Sequence, residues 1–202
     1  MAISIDGSNN TIAGLAVGGL PDGTVDADTL ADGAASGTKL TMPTNSIVQT
    51  QYNSTTTQVT LTSNSAYQEI GFTKAITPTA STSDILVSAV INYDIYTTTG
   101  GEGGIGIKIT RTVGGTETTL FESTFTSEIY NYSSSGTDQM RTTRSANFLD
   151  TSISTTSAAT YKVYARPHNT SSNGTKVSNN GLSSLTLMEI KGWVIIQKLW
   201  NY

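Results

Sequence analysis

The sequence predicts an all-β fold, an antiparallel jelly-roll-like β-sandwich with a short extended N-terminal arm. Thr and Ser make up roughly 30% of the chain and only 13% of its 202 residues are charged, a composition that favours strands and turns. Short runs with alternating apolar residues are separated by Gly, Pro, Asn and Ser clusters. No segment keeps helical spacing of its apolar residues for three turns. The longest candidate is 26–35, and Gly33 would end a helix there early.

Residues 1–45 form the predicted arm. Small apolar residues alternate there with Gly, Asp and Asn turns, so one copy could bury little apolar area. We expect these side chains to pack against copies of themselves or against another protein, which makes the segment a docking and trimerisation arm. The alternative is a disordered terminal tail. The residues assigned to docking are Ile3, Ile5, Ile12, Leu15, Val17, Leu20, Val25 and Leu30.

Residues 46–202 form the predicted sandwich, with about ten candidate strands, close to the eight of a jelly roll. The clearest run is "ILVSAVINYDIY", in which alternate residues form an apolar core face and the others form a mixed, partly covered face. The core-face residues are Ile85, Val87, Ala89, Ile91, Tyr93 and Ile95. Gly114 and Gly115 predict a two-residue hairpin turn between two further runs.

Composition also argues against several classes of function. The net charge of -4 and the scattered Lys and Arg residues disfavour nucleic-acid binding. The chain has no cysteine, which excludes disulfides, thiolate nucleophiles and Cys-ligated metals. The sequence shows neither a signal peptide nor an apolar run long enough to span a membrane. We therefore expect synthesis in the cytoplasm of the producing cell and no membrane partner.

Three candidate catalytic or cofactor sites are outweighed by structural interpretations, so we expect no catalytic residue, no metal and no cofactor. The glycines of "GGEGGIG" have dinucleotide-loop spacing, but a strand pattern follows them, so a flexible surface loop explains them better. The four carboxylates of 22–32 lack the EF-hand order of a calcium loop. His168 is the only histidine, and an exposed loop position is the better interpretation. A glycosidase pair stays formally open among Asp94, Glu102, Glu117, Glu122, Glu128 and Asp138.

Tyrosines supply the candidate recognition surface. Tyr130 and Tyr132 lie in "SEIYNYSSSG", which resembles the tyrosine-containing loops that bind carbohydrate or protein. Tyrosine suits such loops because its side chain offers a large aromatic face and a hydroxyl. Packing at a sheet edge or between subunits is the equal alternative, and for Tyr93 core packing is preferred. Possible surface-recognition residues are thus Tyr130, Tyr132 and His168.

The C-terminal segment "GWVIIQKLWNY" carries large apolar residues on both faces of a predicted strand. One sandwich covers only one face of such a strand, so we expect a subunit interface or a position close to a trimer axis. The alternative is an ordinary final strand with an overhanging tip. The predicted interface residues are Trp193, Val194, Ile195, Ile196, Leu199 and Trp200.

Three segments carry a family resemblance: "SNNTIAGLAVGGLPDGTVDADTLA", "YQEIGFTKAITPTASTSDILVSAVINYD" and "SSLTLMEI". Together they resemble virion structural or tail-fibre-like proteins of marine bacteriophages. The resemblance implies an N-terminal attachment segment and a trimeric jelly roll similar to tumour-necrosis-factor-like domains. It supplies no catalytic residues. The chain departs from the pattern by continuing past "LMEI" into "KGWVIIQKLWNY".

The resulting expectation is a non-enzymatic homotrimer on the bacteriophage virion surface, assembled in the host bacterial cytoplasm. Its expected partners are copies of itself, phage capsid or tail proteins, and a host cell-surface glycan. Capsid decoration, as a head-fibre or cement protein, is preferred because a fibre needs a stalk, and the sequence shows neither heptads nor tandem repeats. The alternatives are a short tail-fibre or receptor-binding tip and, less favoured, a polysaccharide depolymerase.

Overall fold

The computed structural model describes residues 4–6, 11–13, 43–97, 101–123, 130–169, 174–179 and 181–192. The chain divides into two compact units, Met1–Thr41 and Met42–Tyr202. In the first unit, β1 (Ser4–Asp6) pairs antiparallel with β2 (Thr11–Ala13). The side chains assigned to docking lie outside the described residues, so the role of the arm stays a prediction.

In the described residues of the second unit, eleven strands form two antiparallel sheets that pack against each other, and no helix is present there. The predicted all-β sandwich is therefore confirmed. The strands are β3 (Ile47–Thr55), β4 (Val59–Thr60), β5 (Gln68–Ile76), β6 (Asp84–Thr97), β7 (Gly101–Val113), β8 (Thr116–Glu122), β9 (Tyr130–Ser133), β10 (Asp138–Asp150), β11 (Ala159–Pro167), β12 (Lys176–Val177) and β13 (Ser183–Ile190).

The six-stranded sheet is organised around β6. Along one edge, β6 pairs with β10 without a register break, from Thr97 opposite Asp138 to Ile85 opposite Asp150. Along its other edge, β13 pairs with the first half of β6 and the short β12 pairs with the second half. The sheet continues through β3 beyond β13 and through β4 beyond β12.

The five-stranded sheet is organised around β7. On one edge of β7 lies β11, with β5 beyond it, and on the other edge β8 and β9 follow one another. Gly114 and Gly115 connect β7 to β8 with φ angles of 56° and 85°. Two successive positive φ angles are those of a type I′ turn, so the predicted hairpin is confirmed.

The core lies between the sheets and follows the alternation of β6. Its six predicted core-face residues are all buried, including Tyr93, so the core interpretation of that tyrosine is confirmed. Their partners are apolar side chains of the same alternation on the facing strands, such as Ile105, Ile107 and Ile109 on β7 and Phe72 on β5. The opposite face of β6 is mixed and partly covered, as predicted.

A buried ion pair also joins the two sheets. Arg111 on β7 donates from Nη1 to both carboxylate oxygens of Asp150 at the end of β10, at 2.8 and 2.6 Å. The Tyr161 hydroxyl donates to Asp150 Oδ2 at 2.8 Å. Burial acts to raise the pKa of Asp150, but hydrogen bonds from Tyr161 and Arg111 outweigh it and hold that pKa below its ordinary value. Burial raises the pKa of the Tyr161 hydroxyl, and its bond to Asp150 raises it further.

The two lateral sides of the sandwich are closed differently. On one side, Asn53 of β3 donates to the Thr73 carbonyl of β5 at 3.1 Å. Near that side, the buried Glu189 accepts hydrogen bonds from Gln49 and from the Thr79 backbone, both at 2.7 Å. On the other side, the rings of Phe121 (β8) and Phe148 (β10) stack with centroids 6.2 Å apart.

Candidate functional site

Two of the predicted recognition residues, Tyr132 and His168, lie beside the same carboxylate. Tyr132 on β9 is directly opposite Glu102 on β7. His168 Nε2 lies 3.5 Å from Glu102 Oε2. Tyr132 is 54% exposed and the Glu102 side chain is half exposed, so both can contact another molecule. We call these three residues the Tyr132 cluster.

Strand pairing fixes the positions of the Tyr132 cluster. The short β9 adds to β7 at Gly101–Gly104, which places Tyr132 on the outer face of the five-stranded sheet. Immediately after β11, the His168 backbone donates to the Gly104 carbonyl at 2.9 Å. Gly103 faces inward, where a Cβ would collide with Thr97 Oγ1 on β6. Glycine is therefore required at this position, where β7 packs closely against β6.

One sequence-based expectation for this region is wrong, and two others are refined. The glycines of "GGEGGIG" are not a flexible loop, because Gly101–Val113 forms the continuous strand β7. Of the two alternatives for Tyr130 and Tyr132, a loop and a sheet position, the backbone shows the sheet position, because 130–133 forms β9 and pairs with β7. His168 lies just after β11 and outside any strand, as expected, but its side chain is only 23% exposed beside Glu102. The side chain of Tyr130 lies outside the described residues.

The Tyr132 cluster has the components of a polar recognition site. An exposed tyrosine ring can stack on the C–H face of a sugar or on a peptide side chain, and its hydroxyl can form a hydrogen bond. A carboxylate accepts hydrogen bonds from sugar hydroxyls, and an imidazole donates or accepts them. Glu102 and His168 also contact one another, which limits their side-chain motion before a ligand binds.

A second cluster on the same outer face was not identified from the sequence. The Lys108 ammonium lies 5.2 Å from the ring centroid of Tyr67 and 4.8 Å from that of Tyr164, and the Arg166 guanidinium lies 4.8 Å from Tyr67. The Tyr164 hydroxyl donates to Glu117 at 3.1 Å. Burial is the main cause that raises the pKa of the Tyr67 hydroxyl. The alternation of "TYKVYARP" indicates part of this cluster. Val163 and Ala165 are buried, so Tyr164 and Arg166 lie on the outer face of β11.

Five of the six carboxylates left open for glycoside cleavage lie on four different strands, β6, β7, β8 and β10, and Glu128 lies outside the described residues. Asp94 is fully buried and accepts hydrogen bonds from Gln139 to both oxygens, at 2.5 and 2.6 Å, and from Asn179 at 2.5 Å. Those bonds give Asp94 a structural role in joining β6, β10 and the turn after β12. In the part of the chain that the structure describes, no three His, Asp or Glu residues form a group that could hold a metal ion.

Two further predicted features lie outside the described residues. The acidic 22–32 segment is one. The six apolar residues assigned to a subunit interface, all in 193–200, are the other, and their role stays a prediction.

The second unit is therefore an all-β sandwich, and the Tyr132 cluster forms a partly exposed polar and aromatic patch on one of its outer faces. No protein-family model matches the chain, and no curated protein sequence matches it. Among the described residues, no helix is long and apolar enough to cross a membrane.

Proposed function

We propose that this chain is a non-enzymatic structural protein of the bacteriophage virion surface, that it is a homotrimer, and that it decorates the capsid. The observation that carries the proposal is the filled space between the two sheets. Apolar side chains and the Arg111–Asp150 pair occupy that space, so the sandwich meets other molecules through its outer surface. A domain with a packed core that contacts other proteins through its outer surfaces is suited to covering part of a phage capsid.

The Tyr132 cluster favours a second candidate, a short tail-fibre or receptor-binding tip. An exposed tyrosine beside a carboxylate and an imidazole is suited to a polar surface ligand such as a host glycan. In a decoration protein the same cluster needs no ligand. The two roles therefore differ in what the cluster binds and in where the protein lies on the virion.

Electron microscopy of virions that carry a gold label at the C-terminus tests the location. We expect label distributed over the head. Label confined to the tail would exclude decoration and would leave the receptor-binding tip as the better proposal.

A glycan array tests the second role, with Tyr132→Ala as the variant and Thr160→Ala as its control. Thr160 lies on the outer face of the same sheet, but it is opposite Thr112 and not beside Glu102. A tip would bind a glycan, lose that binding in Tyr132→Ala and keep it in Thr160→Ala. A decoration protein would bind no glycan on the array.

A further inference from the structure

The outer face of the six-stranded sheet contains an uncharged area that spans four strands. Strand register places three rows of four side chains there, and we call this area the uncharged face. Its first row is Thr50, Met188, Leu86 and Leu149, its second is Tyr52, Thr186, Ser88 and Asn147, and its third is Ser54, Ser184, Val90 and Ser145. Charged residues flank it on β6 at Asp84 and Asp94.

The outer face of the other sheet has the opposite character. Charged side chains lie on all of its long strands, for example Glu69 on β5, Lys162 on β11 and Lys108 on β7. Within the described residues, three of the five exposed large apolar side chains, Ile47, Tyr52 and Leu149, belong to the six-stranded sheet.

The uncharged face is large enough to form a substantial part of a protein contact. With strands about 4.8 Å apart and a two-residue repeat of about 6.8 Å, twelve positions cover roughly 400 Å² in projection. A standard interface buries about 800 Å² of accessible surface on each partner. Side-chain relief and the adjacent Ile47 and Ile190, which pair with each other at the end of the sheet, add to the projected value.

We propose that the uncharged face is the surface through which copies of this chain pack together in the homotrimer, an inference that rests on the proposed function. Around a three-fold axis, identical positions of the three copies approach one another, and like charges there would repel. The twelve positions of the uncharged face bring no like charges together and bury no unpaired charge. The apolar side chains Leu86, Met188 and Leu149 then supply the hydrophobic contribution. A partner selected by charge would instead fit the outer face of the other sheet.

A buried charge at the centre of the uncharged face tests the proposal. Thr186→Glu places a carboxylate there, and Thr160→Glu places one on the outer face of the other sheet as the matched control. We expect sedimentation to show wild type and Thr160→Glu as trimers and Thr186→Glu as a folded monomer of 21.2 kDa, with unchanged circular dichroism. If Thr186→Glu does not fold, Ser88→Glu, which targets a neighbouring strand, replaces it.

Thiol labelling gives an independent measurement, because the chain has no cysteine of its own. We expect a maleimide to react more slowly with the Ser88→Cys variant than with Thr160→Cys in the trimer. A monomeric wild type would overturn both the homotrimer and this interface. A trimeric wild type with equal labelling and a trimeric Thr186→Glu would overturn the interface alone. Protection of Ser88→Cys without any change of mass in Thr186→Glu would show that another partner covers the face, and would also overturn it.

Discussion

Asp150 illustrates how single residues stabilise this sandwich. Its carboxylate lies in the space between the sheets, where burial would favour the neutral form, yet it accepts bonds from Arg111, Tyr161 and Ser152. A complete buried ion pair contributes little to the free energy of unfolding. Removing one member of the pair lowers that free energy much more, because the other member is then buried without its counter-charge.

We therefore predict that Asp150→Asn lowers the free energy of unfolding by about 3 kcal/mol, since it leaves the Arg111 guanidinium buried without a carboxylate. Tyr161→Phe removes one hydrogen bond and should cost about 1 kcal/mol. Urea denaturation monitored by circular dichroism measures both. An equal effect of the two variants would contradict this account of the ion pair.

Stability should also decrease in acid. The pKa values of Asp150 and Glu189 lie below their ordinary values in the folded chain, because hydrogen bonds to each carboxylate outweigh burial. The unfolded chain therefore binds more protons between the folded and ordinary pKa values, so stability is present above about pH 4.5 and is lost as pH falls through that window. Urea midpoints between pH 6 and pH 3 measure this, and Glu189→Gln should flatten the decrease. A pH-independent midpoint would contradict it.

At the scale of single residues, alternation predicts burial but not polar partners. Every core-face residue of β6 could be assigned from its spacing, because a two-residue period needs only neighbouring sequence. The contact between Glu102 and His168 could not, since it depends on β7 and β11 becoming neighbours. The chemistry of Tyr132 and of His168 is visible in the sequence, and only strand pairing shows that both residues lie beside Glu102.

At the scale of elements, the close approach of β6 and β7 depends on Gly103. We predict that Gly103→Ala destabilises the fold by about 2 kcal/mol, because the new methyl group collides with Thr97 Oγ1. Thr97→Ala removes that oxygen, which is buried without a hydrogen-bond partner among the described residues. The double variant should therefore recover part of the loss. Thermal unfolding of the two single variants and the double variant tests the coupling, and additive losses would contradict it.

Elements with local signals could be predicted, and elements with distant partners could not. The β7–β8 hairpin follows from Gly114 and Gly115, because two adjacent positive φ angles need residues such as glycine. The glycines at the start of β7 carry the same local signal, yet they lie in a strand, and Gly103 allows close packing against β6. The short β9 is extended because β7 provides a pairing edge, which its own sequence does not show.

At the scale of the whole molecule, the division at Thr41 predicts an independent sandwich. A chain that starts at Met42 keeps the bonds from Asn45 N to Lys191 O and from Lys191 N to Ser46 O, which join the start of the sandwich to its last described strand. We expect it to retain the circular dichroism and urea midpoint of the full chain and to lose binding to virions that lack the protein. A truncated chain that still decorates such virions would contradict the docking role of the arm.

The central strand β6 has a consequence for the time course of folding. Asp84 pairs with Ile190 on one edge of β6, and Thr97 pairs with Asp138 on the other, so both edges depend on partners distant in the chain. Pairs between distant residues give the fold a high contact order. Long loops must close before these pairs form, which slows folding. During translation, the six-stranded sheet cannot be completed until Ile190 has left the ribosome. Until then the apolar face of β6 depends on β10 and on the other sheet, or on a chaperone, for its protection from water.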